Sequence, residues 1–102
     1  MKRNEHHFLK PETVENTARI FKALADPSRI KILYLLSQET CSVNHIAEML
    51  GMTQSAVSHQ LSLLRNLKLV KYNRDGNTYY YTYNDDHVIT ILNQVIEHVA
   101  CE

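Results

Sequence analysis

Thr53-Gln54-Ser55-Ala56-Val57-Ser58-His59-Gln60-Leu61-Ser62-Leu63-Leu64-Arg65-Asn66 is the stretch that decides how this chain folds. Thr53 is a good N-cap residue, and Gln54 to Asn66 carries apolar residues at helical spacing. The expected core face is Ala56, Val57, Leu61, Leu63 and Leu64. The remaining positions, Gln54, Ser55, Ser58, His59, Gln60 and Ser62, are small or amide-bearing and uncharged. An ordinary solvated helix face carries Lys and Glu instead. Gln can pair with adenine through two hydrogen bonds, and Ser reaches either a base or a phosphate. The face also omits acids, which phosphates would repel.

Upstream, Ser42 caps a short helix from Val43 to Leu50, ended by Gly51. Two short helices joined by a tight turn containing Gly make a helix-turn-helix signature. Taken alone the pair fits two ordinary core helices equally well; the uncharged face of the second one decides for nucleic acid. Downstream, Leu69 to Arg74 and Asn77 to Tyr83 are β-favouring runs around Asp75-Gly76. That is a hairpin signal. A two-stranded ribbon after such a helix gives a winged helix-turn-helix. Lys71, Arg74 and Asn77 on the ribbon are candidates to touch DNA, Arg74 near the tip at backbone phosphate or the minor groove. The tyrosines of the ribbon read as strand packing.

Further out, Pro11 fits the first turn of a helix with an apolar stripe of Val14, Ala18, Phe21, Ala23 and Leu24. Asp26-Pro27 restarts the chain as N-cap and first helical residue. Ile30, Ile32, Leu33, Leu35 and Leu36 then mark a buried central helix. The fold expected is mostly α with a β-hairpin wing. Residues 1–10 read as a flexible arm, and residues 11–102 as one DNA-binding and dimerisation domain. A chain of 102 residues has a core that is thin for a monomer.

The formal net charge is zero, but it is unevenly spread. From Thr53 to Asn77 the basic residues Arg65, Lys68, Lys71 and Arg74 face one acid, Asp75. From Thr78 to Glu102 there are four acids and no Lys or Arg. A basic middle suits phosphates and an acidic end suits cations. No apolar run is of membrane-spanning length, and the N-terminus carries no apolar signal core. Two cysteines, Cys41 and Cys101, do not make a disulfide framework, so the cytoplasm is the expected compartment.

The acidic end holds a pattern of its own: Asp85-x-His87, ten residues, then His98-x-x-Cys101-Glu102. Apolar residues at helical spacing (Val88, Ile91, Leu92, Val95, Ile96, Val99) make 86–101 one expected helix. At about 1.5 Å per residue, His87 and His98 stand roughly 16 Å apart along it. Zinc–nitrogen bonds are about 2.0–2.1 Å, so the two histidines of one helix cannot hold one ion. Eleven residues are close to three turns, so they share a face. Two such helices, antiparallel across a two-fold axis, would bring Asp85 and His87 of one chain to His98 and Cys101 of the other. The pattern therefore predicts a homodimer with two identical metal sites. The bland alternative is a capped helix: Asp85 or Asp86 as N-cap and His98 against the dipole at the C-terminal end. Mixed nitrogen, oxygen and sulfur donors suit Zn2+, with Co2+ as second choice.

Taken together, the motifs Phe21-Lys22-Ala23-Leu24-Ala25-Asp26-Pro27-Ser28-Arg29-Ile30-Lys31-Ile32-Leu33, Ser55-Ala56-Val57-Ser58-His59-Gln60-Leu61-Ser62-Leu63-Leu64 and the Asp-Gly wing resemble the ArsR/SmtB family of metal-responsive repressors, from about Val14 to Cys101. Within it the chain is most similar to the zinc- and cobalt-sensing branch. The resemblance implies a dimer that binds an inverted-repeat operator without metal and releases it when zinc fills a site on the last helices. The family's ligands fall on Asp85, His87 and His98, and its fourth, usually Glu or His, falls on Cys101, with Glu102 as the alternative. Another branch senses soft metals through a cysteine pair before the recognition helix; the usual cysteine position here holds Ser42, with only Cys41 beside it. Cys41 therefore reads as a buried structural cysteine, and His45 as a surface or locally hydrogen-bonded residue. His6 and His7 could add ligands, as N-terminal arms do in some nickel sensors, but read as a mobile tail. The rival function is a winged-helix repressor sensing thiol oxidation or a soft metal through Cys41 and Cys101, which leaves Asp85, His87 and His98 unexplained. No catalytic constellation is present beyond a Cys41/His45 pair at i, i+4, so neither catalysis nor a small organic substrate is expected.

Overall fold

The computed structural model describes residues 6–101. Five helices run α1 (Pro11–Leu24), α2 (Pro27–Leu36), α3 (Val43–Leu50), α4 (Gln54–Asn66) and α5 (Asp86–Ala100). Three short strands are β1 (Cys41–Ser42), β2 (Val70–Asp75) and β3 (Thr78–Tyr83). This is the expected winged helix-turn-helix.

Side-chain caps set most of the helix starts. Asp26 Oδ2 accepts the Arg29 N–H at 3.0 Å, with Pro27 as first helical residue. Ser42 Oγ accepts from the His45 N–H at 3.1 Å, and Thr53 Oγ1 from the Ala56 N–H at 3.0 Å. Each such bond satisfies one of the free N–H groups that open a helix. Gly51 ends α3 in the left-handed region (φ 65), where a side chain would be strained. The turn it makes places α3 against α4.

The core is built on α2, which packs against the other four helices and β3. Ile32, Leu33 and Leu36 of α2 meet Ile46 of α3, Val57, Leu61 and Leu64 of α4, and Val70 of β2, all fully buried. Ile89 and Leu92 tie α5 onto this core.

Several local expectations are corrected. The ribbon has a third strand, in the order β1-β3-β2, with Cys41 opposite Tyr81. Two residues are too short for a sequence period, and these also lead into the α3 cap. The hairpin turn falls one residue later than Asp75-Gly76. Asp75 pairs with Thr78, so the turn residues are Gly76 and Asn77, with the positive φ (65) on the glycine. Asp75 is free to stay extended and pair, because Gly76 alone supplies the left-handed conformation. Helix α5 stops at Ala100, and Cys101 is its extended C-cap (φ −77, ψ 123). The end of α4, on which the sequence carried no expectation, is closed by Lys68 at positive φ (62). The N–H groups of Lys68 and Leu69 bond back to the Arg65 and Leu64 carbonyls, and these bonds hold the strained residue. Of the expected arm, residues 6–10 have no regular structure and are exposed; residues 1–5 lie outside the described part. Among the described residues no helix is long and apolar enough to cross a membrane.

Candidate nucleic-acid interface and metal centre

Helix α4 has two unlike faces. Val57, Leu61 and Leu64 are buried, while Ser55, Ser58, His59 and Ser62, at steps of three and four, form an exposed stripe. Ala56, expected in the core, lies exposed beside that stripe. A methyl group there can meet a thymine methyl in a groove. Gln54 starts the stripe, and its amide donates to Asn44 Oδ1 of α3 at 2.8 Å, which fixes the two helices at their junction. Gln60 is placed differently from its expected place on the outward face. It is half-buried, and its Oε1 accepts the Arg29 Nε–H at 2.8 Å. Its acceptor is thus engaged by α2.

Lys71, Arg74 and Asn77 all lie exposed on the ribbon. The Arg74 Nε–H donates to the Gly76 carbonyl at 2.9 Å, and its guanidinium lies 5.6 Å from the Tyr79 ring centre. Arg65 sits 4.7 Å over the Tyr72 ring. Tyr72 also meets Tyr79 edge-on at 4.9 Å. The tyrosines thus pack the ribbon and hold two cations against it.

Along α5 the expected metal residues fall into two groups. Asp85 caps the helix: its Oδ1 accepts the His87 N–H at 2.7 Å and lies 3.0 Å from His87 Nδ1. The backbone N–H of His87, then its imidazole, hold the Asp85 carboxyl below the usual carboxylate range. His98 and Cys101 are exposed at the far end of the helix. One chain therefore brings Asp85 to His87 but does not bring this pair to His98 and Cys101. Glu102 lies outside the described residues, and His6 and His7 are exposed beyond α1.

Between the two ligand pairs α5 presents an apolar stripe that its own chain leaves uncovered. Ile91, Val95 and Val99 are 41%, 54% and 73% exposed, and Val14 and Phe21 of α1 are 49% and 56% exposed. An open groove of about 450 Å³ runs between α1 and α5, lined by Phe21, Leu24, Ile91, Val95 and Val99 among others. The single apolar stripe expected from the sequence divides: Leu92 faces inward, together with Ile89, which that stripe had not included, and Ile91, Val95 and Val99 face outward.

Elsewhere, among the described residues, one group of His, Cys and acidic side chains has ligand atoms within 4.8 Å of one another: Glu39, Cys41 and His45. His45 Nε2 lies 3.0 Å from Glu39 Oε1, and Cys41 Sγ lies 3.7 Å from the same oxygen. Burial, with Glu39 adding to it, raises the Cys41 thiol pKa to about 11. The local hydrogen bond expected of His45 is thus present, and Cys41 is buried as expected. The inclusion of Glu39 was not read from sequence, because it sits in the turn after α2 where no period links it to the other two. Cys41 and Cys101 are both free thiols, one in the core sheet and one at the exposed end of α5.

Comparison with known proteins agrees with this geometry. Residues 26–72 match the model of the bacterial regulatory protein arsR family. Over 88 residues the chain is 39% identical to a transcriptional repressor SmtB homolog of Synechocystis, covering 86% of this chain and 67% of that protein. It is 37% identical over 91 residues to a cadmium resistance transcriptional regulatory protein CadC homolog of Staphylococcus aureus, covering 88% of this chain and 75% of the relative. The solution structure of a homodimeric winged helix-turn-helix DNA-binding domain from Mycobacterium bovis superposes with a TM-score of 0.81 at 31% identity, covering 96% of this chain and 93% of that one.

Proposed function

The chain belongs to the arsR family of bacterial regulatory proteins, and on that premise we propose that it is a zinc-responsive transcriptional repressor whose metal-free homodimer binds operator DNA. The observation that carries this reading is the outer face of α5. An uncovered apolar stripe (Ile91, Val95, Val99) lies between a preassembled Asp85–His87 pair and a His98–Cys101 pair. A second copy laid antiparallel on the stripe would cover it and join each pair to the partner's complementary one. The names of a repressor and of a cadmium resistance regulator among the relatives support a metal effector. A homodimeric relative of the same fold supports the assembly.

The dimer would present two α4 helices to successive major grooves of an inverted repeat. Gln54, Ser55, Ser58 and His59 would contact base edges and position the helix. Lys71, Arg74 and Asn77 would meet backbone from the wing, while Gln60 serves mainly to hold α4 on Arg29. At the other face Asp85, His87, His98 and Cys101 would hold zinc, and the mixed donor set suits that ion. The bound ion would supply a fixed cross-link between the two α5 helices. Because α5 packs on α2, and α2 on α4, a fixed angle at α5 sets the separation of the two reading helices. A separation that no longer matches the grooves lowers operator affinity. DNA must weaken zinc by the same factor, a coupling of about 1–3 kcal/mol in typical systems.

Zinc titration of the purified dimer with and without operator DNA, repeated with His98→Ala, tests this. The parent is expected to lose DNA affinity on adding zinc, and the variant to keep it. Unchanged DNA affinity in the parent refutes the sensing role, and a full response in the variant moves the site elsewhere.

A further inference from the structure

We propose that Arg19, Lys22 and Arg29 form a second DNA-facing surface beside the reading helix α4, one that takes backbone phosphates on the side of each α4 nearer the two-fold axis. The proposal rests on the repressor reading above and adds to it contacts from α1 and α2. The three cations line one open groove of about 240 Å³, with Leu63 and Asn66 of α4 on its other side. Among the described residues no acid lines it. Asn66 stands one turn beyond Ser62 on the exposed stripe of α4, so the groove opens where that stripe ends.

Ordinary surface chemistry accounts for part of this charge only. Lys22 lies in the last turn of α1, where a cation suits the helix dipole, and Arg19 Nη1 donates to Asn16 Oδ1 at 3.0 Å. Arg29 has no such account. It is the third residue of α2, in the first turn, where the dipole disfavours a positive charge. It is half-buried, and neither it nor Arg19 nor Lys22 forms an ion pair with an acid among the described residues. Glu15, one turn before Arg19 on the same face of α1, neither lines the groove nor pairs with it. The Arg29 Nε–H is engaged by Gln60 at 2.8 Å. That bond fixes the guanidinium against α4, and its two terminal nitrogens have no partner among the described residues. A cation held at the unfavourable end of a helix with no counter-charge suits an anion from outside.

The groove stays open in the proposed dimer. At about 100° per residue, Lys22 and Arg19 stand roughly 100° and 160° round α1 from Phe21, off the stripe a second copy would cover. Helix α1 supplies part of the interface and α4 the reading stripe. A groove between the two therefore lies inboard of each reading helix, towards the segment that joins the half-sites of an inverted repeat. Continuity with the stripe favours DNA over a free anion: a phosphate here would belong to the duplex whose bases Ser58 and His59 face.

The test is the salt dependence of operator binding by the full chain. Each phosphate contact contributes about 0.9 to the slope of log affinity against log salt concentration. Arg19→Gln with Lys22→Gln removes up to four contacts per dimer, so the slope is expected to fall by about 3.6 and by no less than about 1.8, one contact per chain. Affinity at fixed salt should fall by a similar factor for operator and for a random duplex, because phosphates carry no sequence. Both residues are exposed, so thermal unfolding and dimerisation should match the parent. Arg19→Lys with Lys22→Arg keeps the charges and should keep the slope. Lys10→Gln, at the opposite end of α1, should leave the slope in place; a fall per charge equal to that of the groove variant would reduce the effect to net charge and overturn the surface. A fall of less than about 1.8 in the groove variant overturns it too. A parent that binds no operator DNA refutes the repressor reading and this surface with it, whereas a binding parent whose slope the groove variant preserves refutes this surface alone.

Discussion

Gln60 and Ser58 are neighbours on one helix with different work to do. Gln60 accepts the half-buried Arg29 Nε–H, whereas Ser58 points outward, with no side-chain hydrogen bond among the described residues. Leaving a buried donor unsatisfied costs about 1–3 kcal/mol, and this one is only half-buried. Gln60→Ala is therefore expected to lower unfolding free energy by about 1 kcal/mol in urea denaturation, and Ser58→Ala to change it by less than about 0.5 kcal/mol. Equal effects would refute the division of roles. The sequence could not separate the two, because an amide reads equally as a base-edge reader and as an internal acceptor. Ala56 poses the same problem from the other side: an apolar residue next to Val57 reads as core, but the helix turns it outward. The caps were legible because Asp26, Ser42, Thr53 and Asp85 each act on their own first turn, with no distant partner needed.

At the scale of the element, the turn between α3 and α4 rests on Gly51 at φ 65, with open space where a Cβ would stand. Substitution there meets backbone strain and no clash. Gly51→Ala is expected to lower stability by about 1 kcal/mol, since the left-handed region costs other residues about 1–2 kcal/mol. Gly51→Asn should lose less, because asparagine tolerates that conformation. Thermal unfolding of the two variants checks this, and an asparagine variant as unstable as the alanine one would place the cost in packing. Helix-turn-helix and hairpin could be read from sequence because glycines punctuate both. Strand β1 could not, since its two residues gain their structure by pairing with β3, forty positions away in sequence. The closing turn of α4 was hidden for a related reason: Lys68 occupies a left-handed position that sequence assigns to glycine.

At the scale of the whole molecule, the chain is divided between a finished core around α2 and an unfinished face on α1 and α5. Burying a side chain such as valine or phenylalanine contributes about 1.5–3 kcal/mol, so Val14, Phe21, Ile91, Val95 and Val99 together favour a partner strongly. Val95→Glu would set two carboxylates near the axis of the assembly. That variant is expected to sediment as a folded single chain at concentrations where the parent is a dimer, and to lose operator affinity with it; a variant that remains dimeric places the interface elsewhere. The ligand spacing on α5 already implied a second chain, since one helix is too long to fold its two histidines onto one ion. The inward and outward stripes were indistinguishable in sequence, because both repeat at helical spacing and only the packing of Ile89 and Leu92 on the core separates them. The central claim, that each metal site is shared between two chains, is tested most directly by complementation. One chain carries Asp85→Ala and His87→Ala, the other His98→Ala and Cys101→Ala, and the two are refolded together at equal concentration. Each homodimer lacks half of every α5 site, whereas each mixed dimer keeps one whole site, so the mixture is expected to recover about a quarter of the parental zinc capacity at α5. A mixture that binds there no better than either variant alone would contradict the shared site.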